Sequence, residues 1–168
     1  MADKEVLKMV NEIATEFGIS AEARQKRRVW LDTSRETLLP LCQWLKKRGF
    51  EHLSAISATD WLEEGKYELA YHLWSYQDHV LLTVKIKINR DDAITDSVVD
   101  IWHESAQAHE REIHELFKIN FKGNDNLTPL FLEDWQGPPP FRKDFDWRDY
   151  ARENYYDREN QRECSYYD

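Results

Sequence analysis

His109, Glu110, Glu112 and His114 place metal-ligating and acid–base side chains within one short stretch. A zinc peptidase presents H-E-x-x-H, two histidines four apart on one helix face. Here Ile113 occupies the fourth place and His114 lies five along, about 140° round the helix, so a shared zinc does not fit. The triplet Glu110, Arg111, Glu112 raises a second chemistry, because paired carboxylates beside a guanidinium can form a proton relay with shifted pKa values. A small acid–base enzyme would use Glu110 and Glu112 in this way. The same spacing also suits a helix-surface network, since Arg111 stands one turn from both Gln107 and Glu115. The carboxylates alone do not make a catalyst.

Other chemistries are poorly supported. There is no G-x-S-x-G, no P-loop and no G-x-G-x-x-G, and five glycines leave no phosphate cradle. Two cysteines, Cys42 and Cys164, are too few for an iron–sulfur cluster or a structural zinc. Cys42 reads as a small core residue and Cys164 as a free thiol. The net charge of −9 opposes binding to nucleic acid or to an anionic membrane surface. The seven tryptophans could be stacking platforms for single-stranded nucleic acid, but Trp30, Trp61 and Trp74 lie in strand patterns and the charge is acidic, so core and interface packing is the stronger reading. No apolar run reaches the length of a membrane span, and the first residues lack a signal-peptide core, so the expected location is cytoplasmic.

The elements that would carry these residues follow from periodicity. Val6, Met9, Val10, Ile13 and Phe17 share one face of a helix over Lys4–Phe17, which Gly18 ends. Residues 27–32 form a short strand. Thr33 and Glu36 have capping-box spacing and open a second helix with Leu38, Leu41, Cys42 and Leu45 inward. Pro40 should disturb its first turn or mark its start. Three strands follow, over residues 50–62, 67–76 and 80–89, the first two joined at Glu63-Glu64-Gly65. The last has Val80, Leu82, Val84, Ile86 and Ile88 inward, with one buried and one wet face. A third helix carries Ala106, Glu110, Ile113, Leu116 and Phe117 on its buried side. The expected fold is α+β: a mixed four-stranded sheet with helices packed on it, then a strap.

That strap begins at the composition shift near Gly123, which divides the chain into a compact domain, residues 1–122, and a strap and tail, residues 123–168. Pro129 and the Gly137-Pro138-Pro139-Pro140 run hold the chain in an extended, polyproline-like form. After Leu132 there is no further Leu, Ile, Val or Met. Such a segment should not close a core of its own. Its aromatics and arginines are of the types enriched at interfaces, so it should be ordered on a partner, with Arg142, Lys143 and Asp144 offering charged hydrogen bonds that set the register.

Glu110-Arg111-Glu112, Phe117, Ile119, Phe121 and Gly123, then Leu132-Glu133-Asp134-Trp135-Gln136-Gly137 and Phe141-Arg142-Lys143-Asp144, resemble the signature of the thirty-kilodalton subunit family of respiratory complex I, the C subunit of NADH-quinone oxidoreductase. The family also occurs in F420H2 dehydrogenases, photosynthetic NDH complexes and membrane-bound hydrogenases. Its pattern runs E-R-E, an aromatic, D, an apolar pair, G-I, then G-H-P-D-L, then D-D-W-x-G-x-P-L-R-K-D. Lys118 stands where the family usually has glycine, Asn124-Asp125-Asn126 replaces its His-Pro-Asp, and Pro139-Pro140-Phe141 replaces its His-Pro-Leu.

The resemblance implies a non-catalytic subunit of the peripheral arm of a complex I-type oxidoreductase. Such an assembly passes electrons from NAD(P)H, F420H2 or ferredoxin to quinone or methanophenazine and couples this to ion translocation. The chain itself would bind no cofactor, the iron–sulfur clusters being in partner subunits. It would brace the large hydrogenase-like subunit, of the 49 kDa type, near small cluster-bearing subunits, and meet the membrane only through them. The interface residues implied are Glu110, Arg111, Glu112, Phe117, Trp135, Phe141, Arg142, Lys143 and Asp144. Alternatives are the same brace in a membrane-bound NiFe hydrogenase and a free-standing interaction module.

Overall fold

In the computed structural model, residues 4–155 are described. The expectation for Cys164, and that for the strap and tail beyond residue 155, lie outside them. Helix α1 (Lys4–Phe17) turns its Val6, Met9 and Ile13 inward. Strands β1 (Ala21–Gln25) and β2 (Arg28–Thr33) form an antiparallel hairpin. Helix α2 (Arg35–Lys47) buries Leu38, Leu41, Cys42 and Leu45. Its cap is Ser34, whose side chain accepts from the Thr37 amide at 3.3 Å, one residue later than the expected capping box. Pro40 is carried inside the helix rather than starting it. Its exposed ring removes one amide donor without ending the turn.

Strands β3 (His52–Trp61), β4 (Lys66–Ser75) and β5 (Val80–Asn89) are antiparallel neighbours, and β2 adds to β5 in parallel. The sheet has five strands in the order β1-β2-β5-β4-β3. The α+β architecture is as expected, with one strand more. Strand β1 carries no sequence signal because its residues, AEARQ, include no large apolar group and pair only at the edge.

Tyr67, Leu69, Tyr71 and Leu73 of β4 meet Leu82, Val84, Ile86 and Ile88 of β5 on one face, in one core with the buried sides of α1 and α2. Each such side chain, fully buried, contributes about 1.5–3 kcal/mol. Helix α3 (His103–Phe117) adds Ala106, Ile113, Leu116 and Phe117 to this core. Beside it lies a small parallel pair, β6 (Ile94–Asp96) and β7 (Asn120–Lys122).

The strap leaves β7, returns along α3 and ends in helix α4 (Trp147–Tyr155), which the sequence pattern does not announce. Between Leu132 and Phe145 it bends at three backbone turns: the amides of Trp135, Arg142 and Phe145 bond the carbonyls of Leu132, Pro139 and Arg142. Trp135, Phe145 and Tyr150 pack against one another in edge-on and tilted contacts, with ring centroids 5.2–6.0 Å apart. The expectation that these aromatics could not pack among themselves is therefore corrected. The turns bring residues of very different sequence position into one cluster.

Candidate interface: the strap and the helix that holds it

Helix α3 presents two different sides. On the inner side Glu110 is 0 % exposed. Its carboxylate accepts from Ser97 Oγ at 2.7 Å, the Val98 amide at 2.8 Å and Asn124 Nδ2 at 2.8 Å. Burial pushes its pKa up, while these three donors oppose the rise. Glu110 thus ties α3 to the segment after β6 and to the turn at Gly123. It does not face a partner, which corrects the expectation for this residue. Its oxygens are also occupied and sealed, so the acid–base arrangement with the half-buried Glu112 has no access for substrate.

On the neighbouring side Gln107, Arg111 and Glu115 follow one another at one-turn intervals and hold the backbone of the strap. Gln107 Nε2 donates to the Asn126 carbonyl. Arg111 donates from Nε to Thr128 O at 2.9 Å and from Nη2 to Pro129 O at 2.6 Å. Glu115 accepts from the amides of Leu130 at 3.2 Å, Phe131 at 3.0 Å and Leu132 at 2.7 Å. A cation thus reads carbonyls and an anion reads amides, as the polarity of each demands.

Further along, the Phe141 amide donates to Leu116 O at 3.0 Å, at the carboxyl end of α3. The Phe141 ring sits edge-on to Phe117 at 5.8 Å, and Phe117 edge-on to Tyr67 at 5.9 Å. Phe117 is thereby nearly covered by the chain itself. Trp135 Nε1 donates to Pro138 O at 2.8 Å, which folds the indole back over Gly137. A methyl group on Gly137 would meet Trp135 at 2.6 Å and Tyr150 at 2.8 Å, so the W-x-G spacing has a packing cause.

Arg142, Lys143 and Asp144 also turn to their own domain. Asp144 accepts from Arg142 at 2.7 Å and Arg90 at 2.8 Å, and the Lys143 amide donates to Asp60 at 2.9 Å. Asp60 and Arg90 are not among the expected site residues. The available signal is parity: Asp60 falls on the inward side of β3, where a lone carboxylate demands a partner. Large apolar groups that do face outward on the strap are Phe131 and Phe141, 67 % and 58 % exposed, joined by Trp147 and Tyr155 on α4. Among the described residues no cluster of His, Cys, Asp and Glu could hold a metal ion, and no helix is long and apolar enough to cross a membrane.

Residues 31–151 match the family described as respiratory-chain NADH dehydrogenase, 30 Kd subunit. The chain belongs to this family. It is 35 % identical over 137 residues to the C subunit of the F420H2 dehydrogenase of Methanosarcina mazei, covering 80 % of this chain and 84 % of that one. It is 33 % identical over 111 residues to the C subunit of the NADH-quinone oxidoreductase of Moorella thermoacetica, covering 66 % and 74 %. A chain of the membrane-bound sulfane sulfur reductase, an archaeal respiratory membrane complex, superposes with a TM-score of 0.81 at 29 % identity over 90 % of both chains. The trypsin-resistant fragment (1-134) of Nqo5 superposes with a TM-score of 0.61 at 27 % identity, over 72 % of this chain and 98 % of the fragment. The chain is thus a complex I-like subunit whose structural relatives sit in multisubunit respiratory assemblies.

Proposed function

We propose that this chain is a non-catalytic brace in the peripheral arm of a complex I-type oxidoreductase. It supports the large hydrogenase-like subunit and lies near small cluster-bearing subunits, on the cytoplasmic side. Electrons pass from F420H2, NAD(P)H or ferredoxin through iron–sulfur clusters in those neighbours to quinone or methanophenazine, with ion translocation. The observation that carries this reading is the strap. Arg111 and Glu115 grip its backbone at residues 128–132 and the Leu116 carbonyl takes the Phe141 amide, while the side chains of Phe131 and Phe141 stay largely exposed. Exposed aromatics on an ordered backbone are what a protein interface uses. The trypsin-resistant Nqo5 fragment, almost all of which superposes on 72 % of this chain, supports a compact domain, with the strap as the partner-binding part.

The same brace in a membrane-bound NiFe hydrogenase is the second reading; the superposition on a chain of a membrane-bound archaeal respiratory complex over 90 % of its length supports a membrane-bound assembly of either kind. Affinity purification of the tagged chain from solubilised membranes, followed by mass spectrometry, tests both. Recovery with a large hydrogenase-like subunit and a small cluster protein is expected, and the electron-input subunit recovered with them separates the two readings. Recovery of the chain without any large subunit would overturn the proposal.

A further inference from the structure

Asp60, the penultimate residue of β3, has its side chain 1 % exposed and lies opposite Tyr67 in the sheet register. A carboxylate that deep needs a cation and donors. Arg90, the residue after β5, supplies Nε at 2.9 Å from Oδ1 and Nη2 at 3.0 Å from Oδ2, with its guanidinium over the Tyr67 ring at 5.5 Å. Asp60 Oδ1 and Arg90 Nε are in ion contact without forming a hydrogen bond, and the pair also takes hold of the strap. The Lys143 amide donates to Asp60 Oδ2 at 2.9 Å, and Arg90 Nη2 donates to Asp144 Oδ1 at 2.8 Å. Arg142 grips the same Asp144 through Nε at 3.0 Å and Nη2 at 2.7 Å. Charges therefore alternate from Asp60 through Arg90 and Asp144 to Arg142. With the Phe141 amide on the end of α3 and its ring on Phe117, residues 141–144 are anchored to the domain by backbone and side chain alike.

We infer that Asp60 and Arg90 form a latch that fixes residues 141–144 on the domain in the free chain, before any partner is present. The motif Arg142-Lys143-Asp144 is then an internal lock that sets the register of the strap, and the surface it leaves outward is built in advance. Pre-ordering of this kind lowers the ordering penalty of association. It differs from folding on a partner, in which the strap would be free until assembly. The latch is the same whichever assembly receives the chain.

Amide hydrogen exchange on the isolated full-length chain decides between these. With the latch closed, the amides of Phe141 and Lys143 exchange at least about a hundredfold more slowly than in an unstructured peptide. Asp60→Asn removes the charge that holds Arg90 and lowers that protection about tenfold or more, while amides of β4 and β5 stay protected. Should Asp60→Asn lose the protection of β4 and β5 as well, Asp144→Asn decides. That variant alters a 40 %-exposed side chain, keeps the Asp60–Arg90 pair and must still lower protection at Phe141 and Lys143. Peptide-like exchange of these two amides in the wild-type chain would overturn the inference. So would full protection in Asp144→Asn, or in Asp60→Asn with an intact sheet.

Discussion

Arg111 and Glu115, one turn apart on α3, grip consecutive stretches of the same strap: the first takes the carbonyls of Thr128 and Pro129, the second the amides of Leu130, Phe131 and Leu132. The arrangement needs no ion pair between them. Each satisfies backbone groups that would otherwise rely on water, and together they impose one direction and register on the chain. Charged hydrogen bonds contribute about 1.5–3 kcal/mol when shielded and less when exposed, as here. Glu115→Ala is expected to loosen residues 130–132 by about 1–2 kcal/mol in local opening free energy, read by amide exchange. Arg111→Ala should act on the same segment. The double variant should show a coupling of at least about 0.5 kcal/mol, because both residues hold one element. Additive effects would mean that the two grips are independent.

Glu110→Ala should be far more damaging to the domain. It strands Ser97 Oγ, the Val98 amide and Asn124 Nδ2, all in buried surroundings. Unsatisfied buried groups cost about 1–3 kcal/mol each, so a total loss of roughly 3 kcal/mol or more is expected in urea unfolding. Glu110→Gln retains the shape and should lose less. If instead both variants kept full stability while the assembled complex lost turnover, a proton-transfer role would replace the structural one.

Strands β3 to β5 and helices α1 and α3 are legible in the sequence because a buried face imposes a period that local reading detects. Strand β1 is not, because an edge strand of small and polar residues has no such period. The motif around Glu110 and the strap is legible as a set, but the direction of each side chain is not. Glu110 shares the inward stripe with Ala106, Ile113 and Phe117, and that placement in the sequence already points to the core. Arg142, Lys143 and Asp144 read as interface charges because their partners, Asp60 and Arg90, lie some fifty to eighty positions away. Pairings of that separation are set by the closed sheet and the turns of the strap, which local pattern does not encode.

Gly137→Ala tests the aromatic cluster of the strap. The added methyl group would stand 2.6 Å from Trp135 and 2.8 Å from Tyr150, so the indole must leave its place over the backbone. Overpacking of this size costs about 1–3 kcal/mol. The expected result is a red-shifted, more quenchable Trp135 emission, read with the other tryptophans replaced by phenylalanine. Incorporation into the assembly should fall without loss of stability in the sheet. Unchanged Trp135 emission would show that the indole does not depend on Gly137.

Lys118 ends α3 in a left-handed conformation, φ 62°, its amide bonded to the His114 carbonyl at 2.9 Å. The strain of that conformation in a residue with a Cβ is about 1–2 kcal/mol. Glycine relieves it but loses about 0.5–1 kcal/mol through the greater freedom of the unfolded chain. Lys118→Gly is therefore expected to raise stability by up to about 1 kcal/mol, and Lys118→Val to lower it. Equilibrium denaturation of the three proteins checks the order, and a less stable glycine variant would show that the lysine side chain contributes packing of its own.

Asp144 and Glu110 should respond to acid with opposite sign. Hydrogen bonding from Arg142, joined by Arg90, holds the Asp144 carboxyl well below the ordinary carboxylate range. Its folded value thus lies below the unfolded one, so its stabilising contribution is present above about pH 4 and is lost as pH falls through the folded value. Burial raises Glu110 instead, so its contribution is complete below its unfolded value and fades as pH rises through the folded one. The strap contact should accordingly be constant from pH 7 to about pH 5 and open only in strong acid. Carboxyl-carbon NMR titration can follow both groups directly. The Asp144 midpoint is expected far below that of a model peptide and should move upward in Arg142→Ala; a midpoint near the ordinary value in the wild-type chain would mean that neither arginine holds it in solution.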